Sequence, residues 1–170
     1  MILNNLKAHI SEGIKESCYK SDARLYKIAN EVQNIGTFSY TPGVDVLDGL
    51  IKIVDKTIKE AQGIGCDLSV IIKGILIGSF RSVPFSAASA YDTLRILIKE
   101  VIQPVYKHKV DVKQAVEGLL AGIIIIANEH GLNIKEALTF AQEDILISAN
   151  AIDAKFADDI KGAFPNLDEL

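Results

Sequence analysis

Apolar residues in the middle of the chain recur at intervals of three and four. From Val46 they run through Leu50, Ile53, Val54, Thr57, Ile58 and Ala61, while Asp48, Lys52, Asp55, Lys59 and Glu60 take the other face. That spacing describes an amphipathic helix with one buried stripe. The pattern then returns. Under a shift of 44 residues, Leu6, Leu50, Leu94 and Leu138 fall in one column, and Ile14, Ile58, Ile102 and Leu146 in another. A second helix in each interval has columns of its own: Ile28, Ile72, Val116 and Ile160, then Val32, Leu76, Leu120 and Phe164.

Helix starts fall into the same register. Asp45, Ser89 and Asn133 each stand three residues ahead of an acid, Asp48, Asp92 and Glu136. A side-chain oxygen at the first position accepts an orphan backbone N–H, and the acid favours the positive end of the helix dipole. Asp67 and Asp111 read as the caps of the second helices. The expected fold is therefore all-α, with about eight helices in four tandem hairpins at about 1–44, 45–88, 89–132 and 133–170. They pack as a repeat array or a compact bundle, and 170 residues suit a single domain.

The second helices carry the most unusual residues. Gly74 and Gly118 align with each other, with Asn30 before them and Gly162 after them, and Gly78 and Gly122 follow four residues on. Positions four apart share a helix face. Each glycine costs about 1 kcal/mol of helix propensity relative to alanine, so close backbone approach between helices is the expected return. Gly74, Gly78, Gly118, Gly122 and Gly162 are thus read as packing positions, with contact between chains and a slot for a flat ligand as alternatives. The inner second helices, 68–82 and 112–129, are apolar nearly all round, whereas 24–34 and 154–162 are polar. Buried inner copies between wetted outer ones suit a stacked array. In the last copy Ile152, Phe156, Ile160 and Phe164 form a stripe that should dock on the preceding helices.

Composition narrows the class. Mean hydropathy is +0.24 and aromatics make up 6%, which favours a core of aliphatic side chains. Yet only 11 uncharged residues separate Glu117 from Glu129, too few for a membrane span of about 20. The N-terminus lacks the basic-then-apolar order of a signal peptide. Cys18 and Cys66 stand in no metal or redox spacing and read as buried small hydrophobes, consistent with a reducing, cytoplasmic setting. Residues 1–109 carry 14 Lys/Arg against 11 Asp/Glu, and residues 110–170 carry 4 against 11. No basic cluster is dense enough for nucleic acid, and the mixed polar faces argue against binding at a lipid surface.

Catalytic chemistry is hard to find in these residues. His9, His108 and His130 are preceded at three residues by Leu6, Val105 and Ala127, so the Glu-x-x-His ligands of di-iron bundles are missing. No phosphate loop and no nucleophile elbow occurs. No catalytic residue, metal or cofactor is assigned. The carboxylates of interest are Glu117 and the pair Glu143 and Asp144. Lys73, one interval before Glu117, is its expected partner in a buried charge pair. The segment "GIIIIANEHGLNIKEAL" (122–138) is similar to a helix–turn–helix stretch of the all-helical nucleotide pyrophosphohydrolases of the MazG type. That family's paired acidic metal motifs are absent from this sequence, so no residue role is carried over.

The tips "GTFSYTPG" (36–43) and "SVPFSAAS" (82–89) share a column and bring Phe38, Tyr40 and Phe85 to one end of the array, with Arg81 nearby. They form a candidate partner edge, unless the rings fold back to close the hairpins. The expected function is a non-catalytic helical-repeat module that binds a protein partner or assembles with itself. A small helical enzyme or small-molecule binder is the alternative, and peripheral lipid binding the second.

Overall fold

A computed structural model describes residues 2–17, 23–34, 46–83 and 89–166. Among these residues the protein is wholly helical, without strands. The helices are α1 (Ile2–Ser17), α2 (Ala23–Asn34), α3 (Val46–Gly63), α4 (Leu68–Ser82), α5 (Ala90–Lys107), α6 (Val112–Glu129), α7 (Ile134–Asn150) and α8 (Ala154–Ala163). Val46, Ala90 and Ile134 open their helices 44 residues apart, as do Leu68 and Val112.

Local chemistry explains these limits. Ser89 and Asn133 accept the N–H groups of Asp92 and Glu136, and Asp67, Asp111 and Asp153 accept those of Ser69, Gln114 and Phe156. Three helices close through a residue of positive φ: Gly65 after α3, Lys109 after α5 and Gly131 after α6. At each, the following N–H reaches back to the carbonyl five residues earlier, from Cys66 to Ala61, Val110 to Val105 and Leu132 to Ala127, at 2.9–3.0 Å. This is the Schellman closure, which favours glycine at the left-handed position. Lys109 stands 44 residues after Gly65 and takes the same conformation with a side chain.

The helices form two rows. In the first, α1 packs on α4, α4 on α6 and α6 on α8; in the second, α2 meets α3, α3 meets α5 and α5 meets α7. One buried aliphatic cluster runs between the rows and draws on all eight helices, from Leu6 and Ile10 to Phe156 and Ile160. α8 docks on α7 and α6, with Phe156 and Ile160 buried.

The position of α1 departs from the four-copy alignment. That alignment matches α1 with α3, α5 and α7, which would leave α2 beside α4. Instead α1 has its most extensive packing on α4, while α2 lies against α1 and α3. The cause is steric and chemical. α2 buries only Leu25, Ile28, Ala29 and Val32, and it carries exposed Asn30 where the other second helices carry glycine, and exposed Asn34 where α4 and α6 do. α1 offers an apolar face with Gly13 in its centre.

Candidate functional site

Glycine creates two seams in the first row. On α4, a methyl group at Gly74 would fall on the Ile14 backbone, and one at Gly78 on the His9 carbonyl and the Ile10 Cα. A methyl at Gly13 would in turn strike the Gly74 carbonyl and come within 2.9 Å of the Gly78 nitrogen. Backbone lies on backbone here. The contacts run in opposite order along the two helices, Ile10 beside Gly78 and Ile14 beside Gly74. The α4–α6 seam is looser. Gly118 lies over Ser69 and Ile72, and Gly122 over Leu76, with a methyl at Gly122 only 3.0 Å from a Leu76 side-chain carbon. The order here is the same on both helices. At Gly74, Gly78, Gly118 and Gly122 another helix of the same chain thus lies against the missing side chain.

Gly162 is a correction to that group. It is exposed, and a methyl there would meet nothing within 4 Å. α8 lies at the end of its row, so no further helix covers that face. Gly13, which falls in no glycine column of the sequence alignment, is a packing glycine that sequence reasoning missed, as is buried Gly49 of α3, where a methyl would strike the end of Leu3. The only signal for each was a glycine inside an amphipathic helix.

The expected buried pair of Lys73 and Glu117 is a second correction. Glu117 is exposed, and its ion pair is with Lys113 on its own helix at 4.0 Å. The reason is a stagger. Gly118 meets Ser69 and Ile72 rather than Gly74, so facing residues of α4 and α6 are separated by more than the 44-residue interval. The amide N–H of Leu68 donates to Gln114 at a separation of 46 residues.

Ion pairs follow that stagger. Arg81 donates to both carboxylate oxygens of Glu129, 48 residues on, through Nη2 and Nε, the latter at 3.3 Å. Its Nη1 donates to Glu16 on α1 at 2.6 Å. One guanidinium therefore fastens α1, α4 and α6 together at one end of the row. The Glu129 hydrogen bonds, joined by the one to Glu16, outweigh burial and hold Arg81 protonated more firmly than usual. Beside it the Phe80 and His130 rings pack 5.0 Å apart. Arg81 is thus engaged within the chain, while its expected companions Phe38, Tyr40 and Phe85 lie outside the described residues.

The second row is tied in the same manner. Asp144, nearly buried, accepts from Arg95 Nε at 3.0 Å, 49 residues before it. The Arg95 guanidinium also lies 5.2 Å from the centre of the Phe140 ring, which Tyr91 meets edge-on. Between α3 and α5, Asp55 accepts from Lys107 and faces His108 Nε2, both at 2.9 Å. Burial pushes the Asp55 carboxyl up, but these two hydrogen bonds outweigh it and hold its pKa below the ordinary 3.8. Glu100 on α5 is shifted upward, chiefly by burial. Glu143, next to Asp144, is exposed and lines a shallow depression with Lys135, Glu136, Thr139 and Phe140.

Among the described residues no group of three His, Cys, Asp or Glu side chains is placed to hold a metal ion, and no helix is long and apolar enough to cross a membrane. The outer face of the second row is less polar than its ion pairs suggest. Ile147 is 64% exposed and Ile96 42%, while Tyr106 at the end of α5 packs its ring 5.1 Å from that of Phe156 on α8. Gly122–Leu138 forms the end of α6, the Gly131 turn and the first turn of α7. Comparison with protein-family models, with curated proteins and with solved structures finds no match to the chain.

Proposed function

We propose that this chain is a non-catalytic helical-repeat module that binds a protein partner or a second copy of itself through the outer face of the α3–α5–α7 row. One observation carries the reading: Ile96 and Ile147 are exposed at 42% and 64% on helices whose inner faces are buried in the core. The charged groups Arg81, Arg95 and Asp55 fasten helices to each other. That use builds a rigid support rather than a reactive centre. Aliphatic side chains held on rigid helices suit the core of an interface.

Photo-crosslinking tests it. A benzoyl-phenylalanine placed at Ile147 in the cell should give a discrete protein adduct on illumination. The same probe at Lys113, exposed on the other row, should not. Equal yields from both positions, or none from Ile147, would remove the proposal.

A further inference from the structure

The outer face of the second row has an uneven charge. On α3, Lys52, Lys56 and Lys59 follow one another at spacings of four and three and are all exposed. Asp48 stands one turn before them, and Lys56 also pairs with Glu60 at 3.7 Å. Asp55, beside the lysines, is engaged by Lys107 and His108. On α7 the matching stripe holds Glu136, Glu143 and Ile147, again exposed, with Lys135 beside the two glutamates. Between them, α5 presents Ile96, flanked by Asp92 and Lys99.

The three helices run in the same sense. Tyr91 meets Phe140 and Arg95 meets Asp144, while Asp48 influences Glu100 and Asp55 binds Lys107. The lysines occupy the middle and C-terminal part of α3, and the glutamates the N-terminal and middle part of α7. The basic and acidic patches therefore sit at diagonally opposite corners of one face, with the middle of α5 between them.

We infer that a second copy of this chain covers this face in an isologous dimer, each lysine corner resting on the glutamate corner of the other copy. A two-fold axis through the middle of α5 exchanges the corners and brings Ile96 close to its own counterpart, as self-complementary contact requires. Size permits it. Three helices of 17–18 residues are each about 26 Å long and about 10 Å apart, which gives a face of about 700–800 Å². Two such faces bury about 1,400–1,600 Å², the size of a standard stable interface. Opposite charges at the rim orient the two copies, and Ile96 and Ile147 supply the dry centre.

The inference rests on the reading above that this face is an interaction surface. A charge-swap experiment tests it through the mass in solution. The 18.5 kDa chain should sediment as a dimer of about 37 kDa at concentrations up to about 1 mM, the range of weak specific association. The variant K52E/K56E/K59E and the variant E136K/E143K should each be monomeric, with dissociation constants raised at least about tenfold. Mixed in equal amounts, they should form a heterodimer, because each corner then again faces the opposite charge. Circular dichroism checks that both fold. If either does not, Ile96→Asp carries the test and should also give a monomer. A wild-type protein that stays monomeric, a dimer indifferent to all three variants, or a mixture without heterodimer would each overturn the inference. A monomer that still crosslinks from position 147 to a different protein would sink the dimer and leave the interaction surface standing.

Discussion

The two rows answer the same problem in different ways. In the first row, glycines let α1, α4 and α6 approach until backbone or short side-chain stems touch. In the second row, α3, α5 and α7 meet through larger side chains, and the ties between them are charged, Asp55 with Lys107 and His108, and Arg95 with Asp144. A row built on closeness has no room for added volume. A row built on longer side chains accepts changes of volume more readily but depends on its charges. The difference also divides their exposure. α4 buries Gly74 through Phe80 in an unbroken run, whereas α5 and α7 each leave a polar stripe facing outward.

The sharpest way to break this contrast is to add a methyl group to each seam. Gly78→Ala should destabilise the protein by at least about 3 kcal/mol, because its neighbours are the backbone of His9 and Ile10 and cannot rotate aside. Gly122→Ala should cost less than about 1 kcal/mol, since the nearest atom is the flexible end of Leu76 and helix propensity offsets the crowding. In a protein of this size the first change lowers the melting temperature by on the order of 10 °C and the second by little. Thermal unfolding of the pair decides it. Equal losses would mean that both seams are the same kind of contact.

The second row is tested by its charges. Asp144 is nearly buried whereas Arg95 is 58% exposed, so the two partners are not equivalent. Arg95→Met strands a buried carboxylate and should cost about 1–3 kcal/mol. Asp144→Asn keeps an acceptor for the Arg95 N–H and should cost about half as much. Urea unfolding of the two variants checks the order, and the reverse order would place the solvent-shielded charge on the arginine.

The unequal legibility of the two rows has a physical source. Ser89, Asn133, Asp67 and Asp111 could be read as caps because a cap depends on residues within one turn. Gly74, Gly78, Gly118 and Gly122 could be read as packing positions because glycine inside a helix requires a reason. What the chain does not display is the stagger. Periodicity places Lys73 level with Glu117, but neighbouring helices slide by about one turn, so Arg81 finds Glu129 and Arg95 finds Asp144. The exchange of α1 for α2 beside α4 was hidden for a related reason. It depends on Gly13 fitting against Gly74 and Gly78, a complementarity between distant segments that no single helix reveals.

Acid should separate the rows through Asp55. Its folded pKa lies below the ordinary 3.8 because the hydrogen bonds from Lys107 and His108 outweigh burial. The unfolded chain therefore takes up that proton at higher pH than the folded one. The stability contributed by this carboxylate is complete above pH 3.8 and is lost as pH falls through the lowered value. Asp55→Asn should be less stable than wild type by about 1 kcal/mol or less at pH 6, the tie being partly exposed. The two melting curves should converge as pH falls below 3.8. The first-row variant Gly122→Ala, which touches no ionisable side chain, should keep a constant offset over the same range. A constant offset for Asp55→Asn as well would show that its carboxylate is not held by these partners.

The smallest expected effect has the opposite sign, and it marks where the first row ends. Gly162 shares its sequence column with Gly74 and Gly118, yet its missing side chain faces open space and its backbone does not take the left-handed conformation. Alanine there meets no atom within 4 Å. It restricts the unfolded chain and favours the helix, so the substitution should stabilise the protein by about 0.5 kcal/mol, less than a mid-helix site because α8 closes one residue later at Ala163. The melting temperature should rise by about 1–2 °C. Gly118→Ala, in the same column but over the Ser69 carbonyl at 2.5 Å, should fall instead. Opposite signs from one column would show that glycine serves closeness only where another helix lies against it. A loss of stability at both positions would mean that α8 is covered in solution, by a surface that belongs to another chain.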